Sequence, residues 1–126
     1  MDDKYQTEML GFSAFIRYAA NQDWEIWKEV TGHNSCDFIA QTPDGLQRVE
    51  VKASVSEQNV HDNSYFYIIG DFHLPQLDYL FVYTPKGSYW IPAAELPAKC
   101  LALKQDPPEP GSRKRPTGKY ERYRVD

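Results

Sequence analysis

Ser35-Cys36-Asp37-Phe38-Ile39-Ala40-Gln41-Thr42-Pro43-Asp44-Gly45-Leu46-Gln47-Arg48-Val49-Glu50-Val51-Lys52-Ala53 is the stretch on which the fold turns. Two strand-like runs, 36–41 and 46–53, flank Thr42-Pro43-Asp44-Gly45, and Asp-Gly at such a junction is a strong hairpin signal. A two-residue turn at Asp44-Gly45 predicts antiparallel partners in which Asp37 lies opposite Lys52 and Ile39 opposite Glu50; a bulged turn would shift this by one residue. Side chains alternate along a strand, so Glu50 and Lys52 share one face while Val49 and Val51 take the other. The pattern therefore predicts that Asp37, Glu50 and Lys52 converge on one patch. Two carboxylates beside an ammonium suit a hard divalent cation with a cationic group next to it, the parts that phosphodiester hydrolysis requires.

Upstream, Met9, Phe12, Phe15, Ile16, Ala19 and Ala20 recur at helical spacing and predict an opening helix over 4–21, with Lys4, Glu8 and Arg17 largely off the apolar stripe. The run Trp24 to Val30 reads as a first strand, followed by a loop from Thr31 to Asn34. Downstream, Ser54 to Asn63 reads as a polar loop, and Gln58 within it is a loop residue rather than part of the patch. Strands are expected at 65–69, 79–83 and, after a Pro85-Lys86-Gly87 turn, 88–91. Pro92 to Leu96 reads as a short helix opened by proline and limited by Pro97. Lys104 to Pro116 carries four prolines and reads as an extended connector, with 120–125 as one further strand. The aromatic residues of these strands, among them Tyr65, Phe66, Tyr67, Tyr79, Phe81, Tyr83, Tyr89 and Trp90, read as core and subunit packing. The expected class is α/β: an opening helix on a mixed, partly antiparallel sheet with the hairpin at its centre.

With 126 residues the chain suits one domain, read as a core over 1–98 and a proline-rich connector and basic arm over 99–126 packed on or extending it. Apolar runs are far shorter than a bilayer requires and the N-terminus is acidic, so a soluble, cytoplasmic protein is expected. Cys36 and Cys100 show no metal-ligand spacing and are expected to be reduced and structural; His33, His61 and His73 are too scattered for a zinc or paired-histidine centre. The formal charge of −4 runs against phosphate binding, but the distribution is uneven. Arg113, Lys114, Arg115, Lys119, Arg122 and Arg124 face only Glu121 between Gly111 and Arg124, interleaved with Tyr120 and Tyr123, a composition suited to contacts along a DNA backbone.

Asp37-Phe38-Ile39, the hairpin, and Val49-Glu50-Val51-Lys52-Ala53-Ser54 together resemble the signature of PD-(D/E)XK nucleases, with Cys36 in the place of the proline that names the motif. Within that superfamily the chain is most similar to the small endonucleases of group I introns, through the opening helix, Asn34-Ser35 before the aspartate, Asp78-Tyr79-Leu80-Phe81-Val82-Tyr83, and Pro92. Holliday junction resolvases share the same core. The resemblance implies Mg²⁺, with Mn²⁺ able to substitute, held by Asp37, Glu50 and the Val51 carbonyl, with Lys52 orienting or stabilising. It also implies a helix glutamate at the site, for which Glu8 is the candidate, although family members place the acid nearer the position of Phe12. Double-stranded DNA and a homodimer or homotetramer are the implied partners. The function so implied is Mg²⁺-dependent DNA endonuclease; a junction resolvase and a catalytically silent DNA-binding protein are the alternatives. An ordinary solvated strand face would also place Glu50 beside Lys52, and an acid in a first helical turn is common in any case.

Overall fold

A computed structural model describes residues 3–30, 36–60, 63–72, 74–104 and 120–126. Helix α1 (Asp3–Asn21) leads into β1 (Glu25–Lys28), then β2 (Phe38–Thr42), β3 (Gly45–Ala53), β4 (Glu57–Val60), β5 (Asn63–Asp71), β6 (Tyr79–Thr84), β7 (Gly87–Pro92) and β8 (Lys99–Leu103). A five-stranded sheet runs in the order β1-β2-β3-β6-β7, antiparallel except where β3 meets β6 in parallel, and β4-β5-β8 form a smaller antiparallel sheet.

The larger sheet is covered on both faces. Val49 and Val51 of β3 join Phe38, Ala40 and Phe81 against Phe15 and Ala19 of α1. On the other face Leu80, Val82, Tyr89 and Ile91 pack on Phe66, Ile68, Leu101 and Leu103 of the small sheet. Parallel strands need a long connection, and here β4 and β5 supply it between β3 and β6, so two of the three strands of the small sheet belong to the crossover. The expected α/β class and central hairpin are present.

Helix α1 ends as a Schellman turn: Trp24 N–H donates to the Ala19 carbonyl and Asp23 N–H to that of Ala20, with Asp23 at φ 59° where glycine is usual. Trp24 then closes edge-on against Tyr18. The helix is rotated from the stripe read in the sequence. Gly11, Phe15 and Ala19 are its buried residues, whereas Met9, Ile16 and Ala20 are exposed. Spacing by three and four identifies a face, but apolar residues on its flank drew the expected centre away from Gly11, which carries no side chain to signal burial.

The hairpin register also differs. Thr42 pairs with Gly45 and Phe38 with Val49, so the turn residues are Pro43 and Asp44, and Gly45 is already in β3 at φ 110°. The displacement from the expected pairing is two residues, not the one that a bulge would give. A slip of one residue reverses every side chain, whereas a slip of two preserves the faces; the predicted convergence of Asp37, Glu50 and Lys52 therefore survives a wrong turn assignment.

Four further elements differ from the sequence reading. Residues 57–60 of the predicted polar loop form β4, because Glu57 to Val60 find partners in Asn63 to Phe66. The 99–126 segment begins with β8, whose Leu101 and Leu103 are buried in the core. The run 120–125 is not a strand: Glu121–Tyr123 form a 3₁₀ turn, leaving one bridge between Tyr89 and Arg124. The short helix after Pro92 is a 3₁₀ turn, Ala93–Glu95.

Candidate active site

Asp37 stands one residue before β2, past the end of its ladder. Its N–H donates to the Val49 carbonyl at 2.8 Å, and its Oδ2 accepts the Val51 N–H at 2.8 Å. Within a strand the N–H and C=O of one residue point the same lateral way, so the Val51 carbonyl is directed toward the Asp37 side, where β2 has ended, and away from β6. Glu50 is 8% exposed, and its Oε1 lies 3.1 Å from Lys52 Nζ. Lys52 stretches under β5, where its Cε lies 3.6 Å from the point a Cβ on Gly70 would occupy.

These residues open into a cleft of about 380 Å³. Asp37 and residues 50–53 form one wall, and Lys4, Thr7 and Glu8 of α1 form the other. Gly11 explains how α1 comes so near: a Cβ there would lie 3.1 Å from Ala53 Cβ and 3.2 Å from Val51 Cγ1, tight contacts that a hydrogen avoids. Glu8 precedes Gly11 by three residues and Phe15 by seven, which puts it on the sheet-facing side of the helix rather than off it. Glu8 is exposed there and lines the cleft. Phe12 is committed elsewhere, edge-on to Phe38 at 5.6 Å.

The donor set is a test of metal fit. Asp37 and Glu50 offer carboxylate oxygens and Val51 a carbonyl, all hard ligands. Among the described residues no three His, Cys, Asp or Glu side chains converge as a ready cluster. Such a partial, all-oxygen set suits Mg²⁺, which retains several waters, and does not suit zinc.

Sequence reasoning missed Lys4, which follows the same helical side as Glu8, and a lock between Arg48 and Asp78 at the base of β3 and β6. Arg48 Nε and Nη2 bond the two Asp78 oxygens, and this guanidinium holds the Asp78 carboxyl below the usual range. Of the six cations expected to contact DNA, Arg113, Lys114, Arg115 and Lys119 lie outside the described residues. Arg122 bonds Glu95 at 3.0 Å, and Arg124 bonds the Asp126 and Lys86 carbonyls; neither lines the cleft. Gln58 is exposed on β4, and the three histidines lie outside the described residues. Cys36 and Cys100 form no disulfide, and burial pushes the Cys36 thiol up. No helix among the described residues is long and apolar enough to cross a membrane.

No family model matches the sequence, and no curated protein does. Among solved structures the fold is similar to that of a bacterial homing endonuclease, I-Ssp6803I, with a TM-score of 0.70 over 97% of this chain and 87% of that one, at 16% identity. The helix on a mixed five-stranded sheet, backed by a curled antiparallel sheet, is thus a restriction-endonuclease-like fold, the architecture that the Asp37, Glu50 and Lys52 pattern led one to expect.

Proposed function

We propose that this chain is a divalent-metal-dependent endonuclease that hydrolyses phosphodiester bonds of duplex DNA. The observation that carries the reading is the hydrogen bond from Val51 N–H to Asp37, which sets one carboxylate beside Glu50 and Lys52 in a single cleft. Chance alternation along an exposed strand would not enclose Glu50 to 8% exposure, because taking a carboxylate out of water is costly. Asp37, Glu50 and the Val51 carbonyl would hold Mg²⁺, with Mn²⁺ as substitute. When bound, the metal supplies a water of lowered pKa and offsets charge on the phosphate. Lys52 orients the attacking water or stabilises charge developing on the phosphate, from a position fixed by Glu50 and by the room at Gly70. Glu8 completes the acidic side of the cleft from α1. The likeness to a homing endonuclease supports duplex DNA as substrate, and the exposed Tyr5, Met9 and Ile16 on one flank of α1 support assembly with a second copy.

The test is cleavage of supercoiled plasmid and of a synthetic four-way junction in Mg²⁺ or EDTA, by the wild type and Lys52→Ala. Mg²⁺-dependent cutting abolished by Lys52→Ala supports the reading, and preference for the junction would move it to a resolvase. DNA binding without cutting in any divalent metal would replace it with a silent DNA-binding protein.

A further inference from the structure

We infer that Lys4 is a phosphate-binding residue of the cleft, gripping the DNA backbone beside the bond that is cut; this rests on the endonuclease reading. The two walls bring three carboxylates, Glu8, Asp37 and Glu50, against two ammonium groups, Lys4 and Lys52, a net charge of minus one. A phosphodiester adds another negative charge, so the cleft needs both a metal and its lysines to accept one. Lys52 sits 3.1 Å from Glu50 and under β5, on the hairpin wall. Lys4 is the cation of the opposite wall.

Its place follows from the helix. Lys4 and Glu8 are one turn apart on the side of α1 that continues from Gly11 and Phe15, and Lys4 stands about 6 Å further along the axis than Glu8. It therefore meets a phosphate flanking the reacting one rather than the reacting atoms. The neighbouring hydroxyl does not compete for this role, since Thr7 Oγ1 donates to the Asp3 carbonyl at 2.9 Å. A lysine suits the task as a point charge on a long, flexible stem, reaching across the cleft without a fixed planar geometry.

The role has a signature that a structural lysine lacks: removing the charge weakens DNA binding but strengthens cation binding, because the same positive charge attracts one and repels the other. The experiment measures binding of a short fluorescent duplex in Ca²⁺ across a salt series, and Mn²⁺ binding by calorimetry without DNA, for the wild type, Lys4→Gln and Lys4→Arg. Lys4→Gln is expected to bind DNA several-fold more weakly with a salt slope shallower by about 0.9, to bind Mn²⁺ at least as tightly, and Lys4→Arg to recover the slope. A wild type that binds DNA and a Lys4→Gln variant with the same affinity and slope would overturn the role of Lys4 alone. Failure of the wild type to bind DNA would overturn it together with the endonuclease reading.

Discussion

Arg48 and Asp78 clasp β3 to β6 through backbone and side chain at once. The Arg48 N–H donates to Asp78 Oδ2 at 2.8 Å, the Asp78 N–H donates to the Arg48 carbonyl at 2.9 Å, and the guanidinium spans both carboxylate oxygens. The Asp78 carbonyl also takes the Ala93 N–H, tying the start of β6 to the end of β7. Parallel pairing has no tight turn to fix its register, so this clasp does so, two residues before Glu50. Asp78→Ala is expected to cost on the order of 1–2 kcal/mol, chiefly from the Arg48 amide left without its acceptor, because a half-exposed ion pair adds little by itself. Urea denaturation reads the loss.

The same carboxylate gives a pH dependence of definite sign. Arg48 depresses the Asp78 pKa in the folded state, so the unfolded chain binds more protons as pH falls past the ordinary aspartate value near 3.9. The stabilisation is fully present above that value and is lost as pH drops through the folded pKa. Denaturation across the acid range should show a shallower fall in Asp78→Asn than in the wild type; parallel curves would refute the assignment.

Gly11 is the contact that sets the distance between α1 and β3. Its missing Cβ faces Ala53 Cβ, which is bonded to the strand backbone and cannot swing aside, and Val51 Cγ1, which can move only by leaving its χ1 rotamer. Gly11→Val should cost about 1–3 kcal/mol by overpacking, despite a side chain better suited to a helix than hydrogen. Cleavage should fall by more than the folded fraction accounts for, since the displaced helix carries Glu8 and Lys4 with it.

Glu8→Gln separates an acid of the site from an ordinary exposed helix residue. Exposure of Glu8 predicts a change in thermal midpoint too small to matter. A loss of about tenfold or more in cleavage rate at fixed Mg²⁺, partly recovered at higher metal, is the expected outcome, and an unchanged rate would remove Glu8 from the mechanism.

What could be read in the sequence was what depends on parity. Glu50 and Lys52 share a face whatever the turn, and an even error in register left Asp37 beside them. What could not be read depends on partners remote in sequence. Glu57 to Val60 are polar and resemble a loop until β5 pairs with them, and Leu101 and Leu103 lie between prolines that suggest a connector until the small sheet claims them. The rotation of α1 was hidden by Gly11, where the closest packing is made by the smallest residue. That error displaced Lys4 and Glu8 from the side on which they lie. The Asp78 clasp is not legible locally, since nothing near Asp78 marks Arg48 as its partner thirty positions earlier.

The two walls of the cleft differ in how long they last. β3 is the middle strand of its sheet, paired with β2 over Gly45 to Val49 and with β6 over Val49 to Ala53, and its paired amides should be among the last to exchange with solvent. Lys4 and Glu8 ride on the opening turns of a helix, which fray sooner than any central strand. Unwinding those turns would strip one acid and one cation from the cleft while Asp37, Glu50 and Lys52 stayed in place, so the lifetime of the complete constellation is that of a helix end, and a partner that pins the start of α1 would govern how often all five groups stand together.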